Sequence, residues 1–140
     1  DTDGRILIDM VDQFVAVHSN ARAYISLGQL RYLSCIRYVD GVVGNSSSGL
    51  LEVPSFGKGT INIGERQKGR IKAESVIDSE SNQHAITTAL QQLYSPGFKK
   101  ILKTIRNPYG DGGASEKIVG ILNEHTLDSI LKKSFYNLTS

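Results

Sequence analysis

A single cysteine, Cys35, stands in this 140-residue sequence, so no disulfide can close within the chain and no metal centre can rest on several thiolates. His18, His84 and His125 lie far apart and share no metal-ligand spacing. A reducing cytoplasm is the simplest setting for such a chain. Charge of one sign is also scarce. The formal net charge of +2 is too small to point to nucleic acid or to an anionic membrane surface. No apolar run reaches the ~18 residues that suggest a membrane span, and no secretory leader pattern is visible. The sequence opens at Asp1 without a methionine and enters an amphipathic pattern almost at once, as a fragment or a processed piece would. Asn45-Ser46-Ser47 and Asn137-Leu138-Thr139 match the glycosylation acceptor pattern by chance.

Apolar residues make up 39% and charged residues 21%, which suits one globular domain with an ordinary core. Leu7, Met10, Val11, Phe14 and Val15 form one stripe at helical spacing, which predicts a helix from Gly4 to Val17 with Asp3 as its cap. Ala23–Ser26 reads as a short strand. A second amphipathic segment runs through Leu30, Leu33, Ile36 and Val39. Gly41-Val42-Val43-Gly44 is a short apolar run between glycines, as expected of a strand buried on both faces. Thr60–Ile63 and Ser75–Asp78 read the same way. A short helix before Pro54 follows the polar turn Asn45–Gly49. Helical stripes follow at Ile86, Ala89, Leu90 and Leu93, and at Phe98, Ile101, Leu102 and Ile105. After the break Asn107–Gly113, Ile118, Ile121 and Leu122 begin a last helical region that extends toward Leu131 and Phe135. Short buried strands separated by helices predict a parallel α/β sheet.

The most informative stretch is Gly44-Asn45-Ser46-Ser47-Ser48-Gly49-Leu50-Leu51-Glu52-Val53-Pro54. A strand, a small-residue turn and a helix in that order suit phosphate: small residues admit the ligand to the backbone, and free N–H groups at the helix start point at the anion. A serine N-cap would account for one hydroxyl, not three. Glu52 is a lone carboxylate among Leu50, Leu51, Val53, Pro54 and Phe56, and a ribose diol would satisfy it; an exposed helix position is the plainer alternative. Gly64-Glu65-Arg66-Gln67-Lys68-Gly69-Arg70 follows a strand and should lie at the same sheet edge, where Arg66 reaches a diphosphate or simply faces water.

These motifs resemble the UDP-N-acetylglucosamine 2-epimerase family, most closely its hydrolysing members of the sialic acid and nonulosonate type. The residues that carry the resemblance are Gly44–Gly49, Glu52–Gly57 and Ile61–Arg70, with Asp1–Arg5 and Ser26–Leu30 in support. The non-hydrolysing relatives usually have a Ser-Gly-Gly turn and a further acidic residue where Leu51 stands. The resemblance implies a partial Rossmann-like sheet with flanking helices, the C-terminal half of a glycosyltransferase-B architecture, as one partial domain over residues 1–140. It implies that Ser46 and Ser47 meet the diphosphate of UDP or a UDP-N-acetylhexosamine, with Ser48 beside them. Glu52 would hold the ribose hydroxyls and Arg66 the nucleotide. The turn Ser26, Leu27, Gly28 would lie against the uracil. No cofactor and no metal are implied, and the acid and base belong to an N-terminal domain outside this sequence. The family chemistry eliminates UDP across C1 and C2 and hydrates the glycal to N-acetylmannosamine or a 4-acetamido analogue.

By the same resemblance the start of this domain lies outside the sequence too. Ala23–Ser26 is then expected either to pair with the Val42–Val43 strand or to leave open edges that recruit another chain, making a homo-oligomer. The alternatives are a non-hydrolysing epimerase and a non-catalytic nucleotide-binding module.

Overall fold

The computed structural model describes residues 2–126, and the side chains from Gly4 onward. The proposed continuation to Leu131 and Phe135 lies outside what is described; the first helix already begins at Thr2, so Asp3 stands within it and is not its cap. The described residues fall into two compact units, divided between Pro108 and Tyr109.

The first unit is built on three parallel strands in the order β1 (Gly41–Gly44), β2 (Gly59–Ile63), β3 (Val76–Ser79). Val43 is in register with Ile61, and Ile61 with Ile77. Before the sheet come α1 (Thr2–Val17) and α2 (Gly28–Ile36). Between β1 and β2 lie α3 (Ser48–Leu51) and a 3-10 turn (Val53–Phe56). Pro54 sits in the first turn of that 3-10 segment, where a missing N–H costs nothing. After β3 come α4 (Gln83–Tyr94) and α5 (Pro96–Leu102). Each has its own start signal. Asn82 accepts the Ala85 N–H at 2.8 Å, Ser95 accepts the Phe98 N–H at 3.2 Å, and Pro96 opens α5. The second unit contains α6 (Ala114–Glu124), entered through Gly113 at φ 73°.

The core is Ile61, Ile77, Ala89, Leu93 and Phe98, with Ile63 and Leu102 packed against it. It forms where α4 and α5 cover β2 and β3. Close approach there requires Gly59: a Cβ would stand 2.3 Å from Leu93 Cδ1 and 2.8 Å from Phe98 Cε1. Ile105, the last member of the α5 stripe, lies past the helix end.

The strand expected at Ala23–Ser26 is corrected. Ala23–Ser26 is not a strand and does not pair with β1. Ile25 is fully exposed, and Ser26 Oγ instead accepts the Gly28 N–H at 3.1 Å in the turn that starts α2. A strand needs a neighbour's N–H and C=O groups, and β-propensity alone does not supply one. The outer edge of β1 is therefore unpaired among the described residues. The α1 helix forms as its spacing predicts, yet Leu7, Met10 and Phe14 are 62%, 61% and 55% exposed. The stripe has the right period, but among the described residues no core meets it.

No helix among the described residues is long and apolar enough to cross a membrane.

Candidate functional site

β1 and β2 run parallel, with Gly44 in register with Asn62, so the turns that follow them emerge side by side at one sheet edge. They are bonded directly. Gln67 Nε2 donates to the Asn45 carbonyl at 2.7 Å. Gln67 is 2% exposed, whereas Arg66, Lys68 and Arg70 around it are exposed.

The serine turn is ordered by its own backbone. Gly49 N–H reaches the Ser46 carbonyl at 3.2 Å, and Leu50 and Leu51 reach that of Ser47 at 3.0 and 2.9 Å. Ser48 N–H donates to Ser46 Oγ at 3.3 Å. Ser47 occupies the N-cap position of α3, but its hydroxyl makes no capping bond. The N–H groups of Ser46 and Ser47 donate to no group among the described residues. The Ser46 hydroxyl thus meets one N–H at the start of α3, as a cap would, while the Ser47 hydroxyl is left without that role. Gly49 is required by the sheet beneath: a Cβ would stand 2.5 Å from Thr60 Cγ2, while Thr60 Oγ1 donates to the Gly49 carbonyl at 2.8 Å.

The third serine is tied elsewhere. Ser48 Oγ and the Tyr32 hydroxyl are 2.7 Å apart. Tyr32, on α2, lines an open cleft of about 580 Å³ together with Ser26, Leu27, Gly28, Gln29 and Glu52. Glu52 closes α3, is half-buried, and has no ion pair or hydrogen bond for its carboxylate among the described residues. Its turn is braced on both sides, since Asn107 Nδ2 donates to the Leu51 carbonyl at 2.8 Å and to Ser55 Oγ at 2.7 Å. The structure thus gathers Ser26, Leu27, Gly28 and Glu52 around one cleft and links Ser48 to its wall. Ser46 and Ser47 lie on the adjoining turn. Arg66 stands on the neighbouring loop, exposed and outside the cleft lining.

A second hollow, about 340 Å³, adjoins the 64–70 loop and is lined by charges of both signs, among them Glu65, Lys68, Lys72 and Asp78. Lys72 Nζ lies 2.7 Å from both Asp78 oxygens, and Asn62 Nδ2 donates to Oδ1 at 2.7 Å. Partial burial acts to raise the Asp78 pKa; the bonds from Lys72 and Asn62 and the charge of Lys72 outweigh it and hold the carboxyl below its ordinary value. No group of His, Cys, Asp and Glu among the described residues is disposed to hold a metal ion.

Tyr32, Gln67 and Asn107 were not singled out by sequence. Tyr32 reads as the polar side of an amphipathic segment, and Asn107 as the start of a turn. Gln67 carries a signal in hindsight, a neutral amide among cations.

A three-stranded parallel sheet flanked by helices, with small-residue turns at its carboxyl edge, defines a Rossmann-like α/β fragment. The model of the UDP-N-acetylglucosamine 2-epimerase family matches residues 1–123. The chain belongs to that family. Over 140 residues it is 38% identical to the GDP/UDP-N,N'-diacetylbacillosamine 2-epimerase (hydrolyzing) of Campylobacter jejuni, covering 99% of this chain and 36% of that protein. It is 33% identical over 135 residues to the UDP-N,N'-diacetylbacillosamine 2-epimerase (hydrolyzing) of Legionella pneumophila, covering 95% and 34%. It is 41% identical over 103 residues to the polysialic acid biosynthesis protein P7 of Escherichia coli, covering 74% and 26%. The chain spans about a third or less of the length of these curated relatives.

Proposed function

We propose that this chain is the UDP-binding part of a hydrolysing UDP-N-acetylhexosamine 2-epimerase. The observation that carries it is Glu52: a half-buried carboxylate without a partner among the described residues, facing the same cleft as Ser26, Leu27 and Gly28 and one hydrogen-bonded step, Tyr32 to Ser48, from the serine turn. In this reading the cleft takes the nucleoside, with the ribose diol on Glu52 and the uracil against 26–28. Ser46 and Ser47, with Ser48 beside them, offer N–H and hydroxyl donors to the diphosphate, and Arg66 reaches the nucleotide from the adjoining loop. Those donors stabilise the charge on UDP as it departs in the elimination step. Water then adds to the glycal. The acid and base come from residues outside this chain, and the reaction needs no cofactor.

Two relatives whose names carry "hydrolyzing" support that outcome, as does Leu51 where the non-hydrolysing pattern has an acid. The same names favour a sugar with two N-acetyl groups. The unpaired edge of β1 supports self-association, which light scattering against concentration tests.

Titration of UDP, UMP and uridine into the chain and into a Ser46→Ala/Ser47→Ala/Arg66→Ala variant tests the site. UDP binding best, with that preference lost in the variant, is the expected result. A wild-type chain that does not prefer UDP sinks the assignment. Free sugar with UDP as products of the full-length protein, rather than an epimeric UDP-sugar, distinguishes the hydrolysing outcome.

A further inference from the structure

We propose that Gln67 is a positioning residue for the diphosphate, clasping the serine turn to the loop that carries Arg66; this rests on the UDP-binding role above. Gln67 and Asn45 are far apart in sequence, yet the 2.7 Å bond from Gln67 Nε2 to the Asn45 carbonyl is a direct tie between the two turns. On one side the tie is adjacent to Arg66, and on the other to Ser46. It therefore fixes where the guanidinium stem starts relative to the serine donors, and donors held in place before the ligand arrives lose less on binding.

The second observation is that the other half of the amide is unmatched. Gln67 Oε1 is buried with no partner among the described residues. A buried unpaired acceptor lowers stability, and an apolar side chain would fill the same space without that cost. Packing alone therefore does not account for a glutamine here. The donor to Asn45 does.

The test uses the 140-residue chain and Gln67→Met, which keeps the length and removes the donor. UDP and uridine are titrated into each and the thermal midpoint is recorded. UDP affinity should fall about tenfold, uridine affinity should stay within about twofold, and the midpoint should not drop. Unchanged preference for UDP over uridine overturns the inference and leaves the nucleotide role standing. So does a joint fall of both affinities and the midpoint, which marks a merely structural residue. A wild-type chain with no preference for UDP overturns the nucleotide role and this inference with it. If Gln67→Met does not fold, Gln67→Leu, smaller, uncharged and equally unable to donate, must show the same selective loss.

Discussion

Tyr32 and Ser48 share a 2.7 Å hydrogen bond that joins the middle of α2 to the first residue of α3. It places the wall of the cleft and the serine turn in one bonded unit. Removing the hydroxyl leaves the ring in place but releases Ser48 Oγ. A net hydrogen bond is worth about 1 kcal/mol. Tyr32→Phe should therefore lower stability by about that amount and weaken UDP by a few-fold, read by denaturant unfolding and calorimetry. Wild-type affinity in a folded Tyr32→Phe chain would show that the link has no part in binding.

Glu52 separates the nucleoside from the phosphates. A hydrogen bond to a charged group contributes about 1.5–3 kcal/mol. Glu52→Gln should weaken UDP and uridine together, by roughly tenfold or more, and leave their ratio intact. Stability should hold or rise, because a half-buried carboxylate without a partner among the described residues is replaced by a neutral amide. A changed ratio, with uridine unaffected, would move Glu52 from the ribose to the phosphate end.

How far the sequence disclosed this arrangement depends on how local each feature is. The strands at Val42–Val43, Thr60–Ile63 and Ser75–Asp78 were legible because glycine and polar breaks bound short apolar runs, and each run does find a parallel neighbour. Ala23–Ser26 has the same local look but no neighbour, so it forms no strand and leads instead through a bend into the turn before α2. The serine turn was legible from its residue types alone. Gln67 was not, because its role depends on Asn45 lying opposite, which only the pairing of β1 with β2 brings about. The same holds for Asn107, whose partners Leu51 and Ser55 are remote in sequence.

Asp78 predicts an acid limb. Its folded pKa lies below the ordinary 3.8, so folding favours the charged form. The stability it adds is present above 3.8 and is lost as pH falls through the lower folded value. Its side chain is 59% exposed, so screening keeps the contribution under about 1 kcal/mol. Asp78→Asn should sit slightly below wild type near neutral pH, and the gap should close at pH below the ordinary carboxylate value. Thermal midpoints of both chains across the acid range measure this. A gap independent of pH would mean that the carboxylate charge is not the cause.

The turn itself is tested most directly at Gly49. Alanine is ordinarily the better helix former, by about 1 kcal/mol, so local propensity predicts that Gly49→Ala stabilises α3. Packing predicts the reverse. The new methyl would stand 2.5 Å from Thr60 Cγ2. Thr60 cannot easily turn away, since it is 2% exposed and its Oγ1 is bonded to the Gly49 carbonyl at 2.8 Å. Overpacking of this kind costs about 1–3 kcal/mol, enough to win. Gly49→Ala should therefore lower stability and, by displacing α3, weaken UDP. The clash is with one methyl, so Thr60→Ser should relieve it: the nearest Thr60 atoms left are Oγ1 at 3.4 Å and Cβ at 3.5 Å. Thr60→Ser alone should cost about 1 kcal/mol as a small cavity. The double variant should then be more stable than Gly49→Ala, with a favourable coupling of about 1 kcal/mol or more in a urea-unfolding cycle. Additive effects of the two substitutions would show that α3 does not rest on Thr60 as closely as the geometry requires.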